Sequence, residues 1–373
     1  MFSAFKEEDR NYIRQEASAV FQQAGIKPRI FEKRNLSTFG LELKTTFHLI
    51  REEKEILLFA ILQWAVMILG YMVWTQILDW IPDTIWQEIR KANDDDRDAS
   101  FTMLNLVFIG WGFLVIAVAS YPLSILNAAM TAAQYLRSSD QTSTISKCLT
   151  MASRNLGRLW VFTAMDAWIT VRAILGRLPK KRNRWSAADE ALYYAWKIGT
   201  IGIGPALVAG KNYKEAISDS IILLKKEPLY AIGVRMGYSM ICWIIGITTY
   251  IGAVYYFCTY GQHDEDNMVY NAYTLLAFPI FISVGVTLVL IRPFYLIMVA
   301  SMYSYTLPLD KKVTDFSEPP ENSAGLAVFF LILLGILLAA YFYGDQLGIR
   351  GWIESLAARD LFHYQQYLQG TAQ

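Results

Sequence analysis

The chain has 373 residues, of which 54% are hydrophobic, 14% aromatic and only 18% charged. A soluble domain carries about 25% charged residues, so this deficit, with several long apolar runs, places the chain among polytopic helical membrane proteins. The net charge of +1 gives no field for nucleic acid or an acidic substrate. Cys148, Cys242 and Cys258 lack any CxxC or Cys/His spacing, and His48, His263 and His363 are scattered, so the pattern encodes neither a metal site nor a disulfide framework.

Residues 1–36 read as a cytoplasmic amphipathic segment. In FKEEDRNYIRQEASAVFQQAG (5–25), Phe5, Tyr12, Ile13, Val20 and Phe21 recur at near-helical spacing and Gly25 is a stop signal. The segment is too polar to insert and suits docking on a partner or on the protein's own cytoplasmic surface. It carries mixed charge rather than a signal-peptide pattern, so the first span is expected to act as an uncleaved anchor.

Residues 37–136 form a first membrane repeat. A span at Ile56–Leu78 leads to an acidic loop, 79–100, with DDDRD at 94–98. A second apolar run from Phe101 to Leu136 is interrupted by Pro122. Residues 137–212 form a cytoplasmic-face connector. Residues 213–307 form a second repeat: a span from Leu229 to about Tyr260, a loop holding His263, Asp264, Glu265 and Asp266, and a run from about Ala272 to Leu307 with Arg292-Pro293 inside it. Residues 308–344 hold a linker and the uncharged last span, Ala324–Tyr343, and 345–373 an external amphipathic tail, GWIESLAARDLFHYQQYL at 351–368. Each of the five runs is long enough for a hydrocarbon core, which takes about 20 apolar residues.

Lys and Arg set the orientation. Basic residues crowd the N-terminal segment (Lys27, Arg29, Lys33, Arg34, Lys44, Arg51, Lys54) and recur in 137–158, 177–184 and 211–226, whereas both loops after the outward spans are acidic. The N-terminus is therefore expected inside and the C-terminus outside. Two further apolar stretches, 159–176 and 191–210, start and end at basic residues and contain Asp166, Arg172 and Lys197. Full crossings would bury these charges, each at several kcal/mol unless paired or hydrated, and would export the most basic loop, with Lys180, Lys181, Arg182 and Arg184. A re-entrant or interfacial helical pair avoids both costs. The basic loop also suits anionic headgroups, and Asp166, Arg172 and Lys197 are the candidates for contact with lipid or solute.

The two repeats share an order of basic cluster, span, acidic loop and proline. PLSILNAAMTAAQYL (122–136) aligns without gaps on PFYLIMVASMYSYTL (293–307), and FHLIREEKEILLF (47–59) on SIILLKKEPLYAI (220–232). Both run in one direction, as in a parallel repeat about an axis along the membrane normal. Straight, the helix 101–136 would be about 54 Å long against a core of about 30 Å, so Pro122 and Pro293 are expected to kink their helices near the cytoplasmic interface, with Pro205 as a third break. Arg292 and Arg235 would then snorkel to the headgroups.

STFGLELKTTFHLIREEKEILLF (37–59), NAAMTAAQYLRSSD (127–140) and IGIGPALVAGKNYKEAISDSIILLKKEP (201–228) resemble an uncharacterised family of bacterial multi-pass membrane proteins. That family carries a domain of unknown function distantly similar to the membrane domain of some glycerophosphodiesterases. The resemblance covers about residues 37–307. It implies a bacterial cytoplasmic membrane and brings no catalytic residues with it.

The nearest approach to a chemical motif is IGTIGIGPALVAG (198–210). Its glycines, 199, 202, 204 and 210, suit either a broken-helix site for an ion or headgroup or close helix packing, and packing is the expectation. GxGxxG order and a following GK[ST] are absent, so it is no phosphate loop. The expectation is an all-α, non-enzymatic inner-membrane protein of about five spans plus the dipping pair, without cofactor. It would act as a scaffold or accessory subunit with a protein partner, a second copy or lipid. The alternative is a transporter or channel for a small solute or ion, its pathway between the repeats.

Overall fold

The computed structural model describes Thr46, Ile50, residues 54–81, Ile85, Gln87, and residues 102–139, 141–177, 187–260, 278–307 and 324–371. All regular structure among them is helical. In chain order the helices are α1 (Lys54–Asp79), α2 (Thr102–Ser138), α3 (Ile145–Ser153), α4 (Leu156–Arg177), α5 (Ala187–Gly199), α6 (Ile203–Val208), α7 (Tyr213–Lys226), α8 (Pro228–Tyr260), α9 (Phe278–Leu290), α10 (Arg292–Thr306), α11 (Ala324–Tyr343) and α12 (Ile349–Thr371).

Among the described residues, five segments are long and apolar enough to cross a membrane: Ile56–Ile77, Met103–Ser138, Pro228–Tyr260, Phe278–Thr306 and Gly325–Tyr343. They are the five runs expected from the sequence, and they make this an all-α polytopic protein. Helix α4, with Asp166 and Arg172 in its length, is not among them. Pro122 lies inside the continuous 37-residue α2. At Pro293 the ladder is interrupted: Ile291 is a turn residue, and Pro293 opens α10, where a missing N–H costs nothing. Pro205 sits buried in the short α6.

The described residues fall into two compact units. One draws on 1–64, 124–159 and 195–321, the other on 65–123, 160–194 and 322–373. The boundary falls inside four helices, after Trp64, Leu123, Leu159 and Tyr194.

In the first unit, small side chains allow dense packing around α6. The stretch Ala128–Leu136 of α2 is continuously buried, as are Ala206, Leu207 and Val208 of α6 and Ile297–Ala300, Met302 and Tyr303 of α10. Helix α7 packs on α6, α10 on both, and α8 runs along α9. The second half of α2 meets α10 at two places, where Arg292 is hydrogen-bonded to Asn127 and where Tyr135 lies tilted against Tyr303 at 6.3 Å between ring centroids. Helix α9 is fitted to α1 through Gly285, because a Cβ there would overlap the Trp64 indole.

The second unit is aromatic. Ile77, Trp80, Ile81, Leu104, Trp111, Val115 and Val118 of the α1–α2 pair enclose Leu337 and Ala340 of α11 and Ile353, Ala357 and Leu361 of α12. Trp111 and Trp80 meet edge to face at 5.2 Å, and Tyr121 stacks on Phe330 at 4.0 Å. Buried indole N–H groups need acceptors: Trp111 Nε1 donates to the Val73 and Trp74 carbonyls (3.2 and 3.3 Å), and Trp160 Nε1 to Ala117 (2.7 Å). Helix α12 follows α11 after a turn at 344–348 that Gly348 closes with φ +70°. Its positions 353, 357, 360 and 361 form one i, i+4, i+7, i+8 stripe, and all four are buried. The buried carboxylate of Asp360 accepts from Leu104 N–H in the first turn of α2 (2.9 Å), where both the free N–H groups and the helix dipole favour an anion. The end of α1, the start of α2 and the end of α11 therefore lie together. The tail that the sequence presents as an external amphipathic helix has its apolar stripe covered within this unit.

Candidate functional site

Two constellations of the first unit carry the polar chemistry. The first is the glycine-rich segment between α5 and α7. Helix α6 ends in a reversal in which Lys211 N–H bonds Ala206 O (3.1 Å) and Gly210 N–H bonds Leu207 O (3.1 Å). Gly210 supplies the left-handed φ of +86° that this closure needs. Asn212 then starts α7 with a capping box, donating its N–H to Glu215 and accepting the Glu215 N–H. Gly202 permits close approach, since a Cβ there would lie 3.0 Å from Ser220 Cα.

Side chains bond several backbone groups of this segment, two of which, the Pro205 and Leu207 carbonyls, already hold a backbone N–H. Asn155, at the turn between α3 and α4, donates both amide hydrogens, to Leu207 O (3.0 Å) and Lys211 O (2.9 Å). Tyr135 Oη donates to Pro205 O (3.0 Å) from a fully buried ring. Ser220 Oγ donates to Gly199 O (2.8 Å) and accepts Gly202 N–H (3.2 Å). Around it, Tyr303 Oη donates to Asp219 Oδ2 (2.6 Å) and Tyr213 Oη to Arg158 O. The sequence left an ion or headgroup site open here; the structure shows close packing with the backbone groups occupied. Neither Asn155 nor Tyr135 stood out in the sequence, because nothing local marks an acceptor 52 or 70 residues away.

The second constellation joins three of the apolar segments. Gln63 of α1, 1% exposed, donates Nε2–H to Asn127 Oδ1 of α2 (2.7 Å), and Arg292 Nε–H of α10 donates to the same oxygen (3.0 Å). The guanidinium has only donors, so it fixes the Asn127 amide with its oxygen inward, and Gln63 must then donate as well. Gln63 Oε1 is left buried without a hydrogen-bond partner, as is Trp64 Nε1. Alongside, Arg235 lies over the rings of Tyr238 (5.5 Å) and Tyr295 (5.6 Å), which pack against each other at 4.4 Å. The sequence assigned Arg292 to the headgroups alone; the structure gives one edge of it to Asn127.

The residues expected at lipid or solute are assigned to both units. Asp166 and Arg172 belong to α4 in the second unit, where the Asp166 carbonyl accepts from Thr170 Oγ1 (2.6 Å). Lys197 belongs to the last turn of α5 in the first unit. Lys180, Lys181, Arg182 and Arg184 lie outside the described residues, as does the amphipathic segment 5–25. Among the described residues no three His, Cys, Asp or Glu side chains gather as a metal site. No protein family matches the chain, and no curated protein or solved structure does either.

Proposed function

We propose that this multi-pass membrane protein is a non-enzymatic scaffold or accessory subunit of the bacterial cytoplasmic membrane, associating with other membrane proteins, with a second copy or with lipid. The observation that supports it best is the closed state of the glycine-rich segment. In a transporter, an interrupted helix offers its free backbone groups to the solute; here Ser220 holds Gly199 O and Gly202 N–H, Asn155 holds Lys211 O, and the Pro205 and Leu207 carbonyls are held by backbone and side-chain donors together. The outer face of α8 adds to this reading, because Met236, Met240, Trp243, Ile244, Ile247 and Ile251 are exposed on it as surface for acyl chains or neighbouring helices.

A transporter or channel is the second reading. It is favoured by the Gln63–Asn127–Arg292 bridge, since polar side chains within spans commonly mark pathways. Purification in mild detergent after cross-linking in the membrane separates the two. The scaffold reading expects a partner, or a second copy, at fixed stoichiometry through size exclusion. A monomeric protein whose Asp166→Asn or Lys197→Gln variant folds but loses solute flux in vesicles would establish the alternative.

A further inference from the structure

We propose that the Nη edge of Arg292 is a binding site for a phosphate oxyanion at the membrane interface, its natural occupant being the phosphodiester of an anionic phospholipid. The site stands whether or not the protein has a protein partner.

Depth is the first argument. From Thr102, where α2 begins, to Asn127 is a rise of about 37 Å along one unbroken helix, more than the hydrocarbon thickness of about 30 Å, and Arg292 is hydrogen-bonded to Asn127. Arg292 therefore sits at the level of phospholipid phosphates on the far side. Its bridge to Gln63 and Asn127 ties three segments together at that level.

Preorganisation is the second argument. A freely snorkelling arginine samples many rotamers. This one has Nε fixed to Asn127, whose oxygen is also held by the buried Gln63. A guanidinium offers five N–H donors. Among the described residues Arg292 makes only the Asn127 hydrogen bond and no carboxylate pairs with it. The side chain is partly exposed, so the forked Nη1–Nη2 edge is the portion left for an external acceptor. That edge matches two oxygens of one phosphate in parallel hydrogen bonds. The tilted Tyr238–Tyr295 pair nearby, with Arg235 over it, gives the ligand an aromatic and cationic neighbour rather than a carboxylate.

The test uses the full-length protein in a neutral detergent, with bound lipid counted by native mass spectrometry. Phosphatidylglycerol and phosphatidylcholine are titrated separately, and inorganic phosphate is then added as competitor. Retention of phosphatidylglycerol over phosphatidylcholine, undisturbed by millimolar phosphate, establishes the lipid as occupant. Displacement by millimolar phosphate keeps the oxyanion site and makes free phosphate its occupant. Arg292→Gln should weaken phosphatidylglycerol retention about tenfold or more, the value of a charge-assisted hydrogen bond. Arg292→Lys, which keeps the charge without the fork, should fall between the two. Equal retention of both lipids by the wild-type protein overturns the proposal without reference to any variant. So does a folded Arg292→Gln protein that binds phosphatidylglycerol as the wild type does.

Discussion

Replacing Asn155 tests whether the closure of α6 holds the first unit together. Its amide sits 5% exposed and uses both hydrogens, on Leu207 O and Lys211 O. A buried hydrogen bond contributes about 1 kcal/mol net, so Asn155→Ala should cost about 2 kcal/mol. The Leu207 carbonyl keeps its bond from Gly210 N–H, which holds the figure below that for a fully orphaned group. Asn155→Asp has nearly the same shape but sets a carboxylate against two carbonyl oxygens. Repulsion should make it worse than alanine at pH 8, by on the order of another 1–2 kcal/mol. The protonated acid, by contrast, can donate to one of the two carbonyls. The introduced carboxyl should therefore have a folded-state pKa above the ordinary aspartate value of about 3.9. A group raised on folding contributes stability that is complete below its unfolded pKa and lost as pH rises through the folded one. The aspartate variant should thus gain on the alanine variant as pH is lowered from 8 to 5. Unfolding free energies from denaturant titration in detergent, followed by tryptophan fluorescence, give the comparison. An alanine variant within about 0.5 kcal/mol of wild type, or an aspartate variant insensitive to pH, would refute the reasoning.

Glycine positions give a graded series on the same assay. Gly202→Ala should cost about 1–3 kcal/mol because the new methyl meets the Ser220 backbone, while Gly199→Ala, with nothing within 4 Å, should be neutral or better. Gly210→Ala should cost about 1–2 kcal/mol from its left-handed φ alone. In the spans, Gly285→Ala should displace the Trp64 indole and shift its emission in a protein whose other tryptophans are replaced by phenylalanine; an unchanged spectrum would show that the two helices do not meet there. In the second unit, Asp360→Ala should cost about 0.5–2 kcal/mol through loss of the Leu104 cap. Asp360→Asn, which keeps an acceptor, should recover most of it, and equal losses for the two would point to packing instead.

The spans were legible because their signal is local. AGLAVFFLILLGILLAAYFY has no charge over the whole of α11, and the limits of α8 and α11 fall within a residue or two of the apolar runs. A proline removes its own backbone donor wherever it stands, yet Pro293 falls in the first turn of α10, just after a turn residue, while Pro122, aligned with it, lies inside the continuous α2. The glycines of 198–210 were visible, but which of them serves contact and which serves φ depends on Ser220 and on the chain reversal, neither written in the glycines themselves. The tail helix shows the limit on amphipathic patterns. The stripe at 353, 357, 360 and 361 says that a face will be covered, and only the fold says that α1, α2 and α11 cover it. Arg292 was visible as a charge at the headgroups; its partner Asn127 lies 165 positions away, and Gln63, which bonds the same Asn127 oxygen, lies on a third segment, both where periodicity is set by apolar neighbours.

The most direct test of the membrane architecture is cysteine accessibility in intact cells, with Cys148, Cys242 and Cys258 replaced. Single cysteines at Thr142, Arg184 and Asp345 are labelled with a membrane-impermeant maleimide before and after lysis. Five crossings with a pair α4–α5 that does not cross predict labelling of Asp345→Cys from outside and of Thr142→Cys and Arg184→Cys only after lysis. Labelling of Arg184→Cys from outside would make α4 and α5 full spans, and labelling of Thr142→Cys and Asp345→Cys from the same side would contradict the five-span architecture itself.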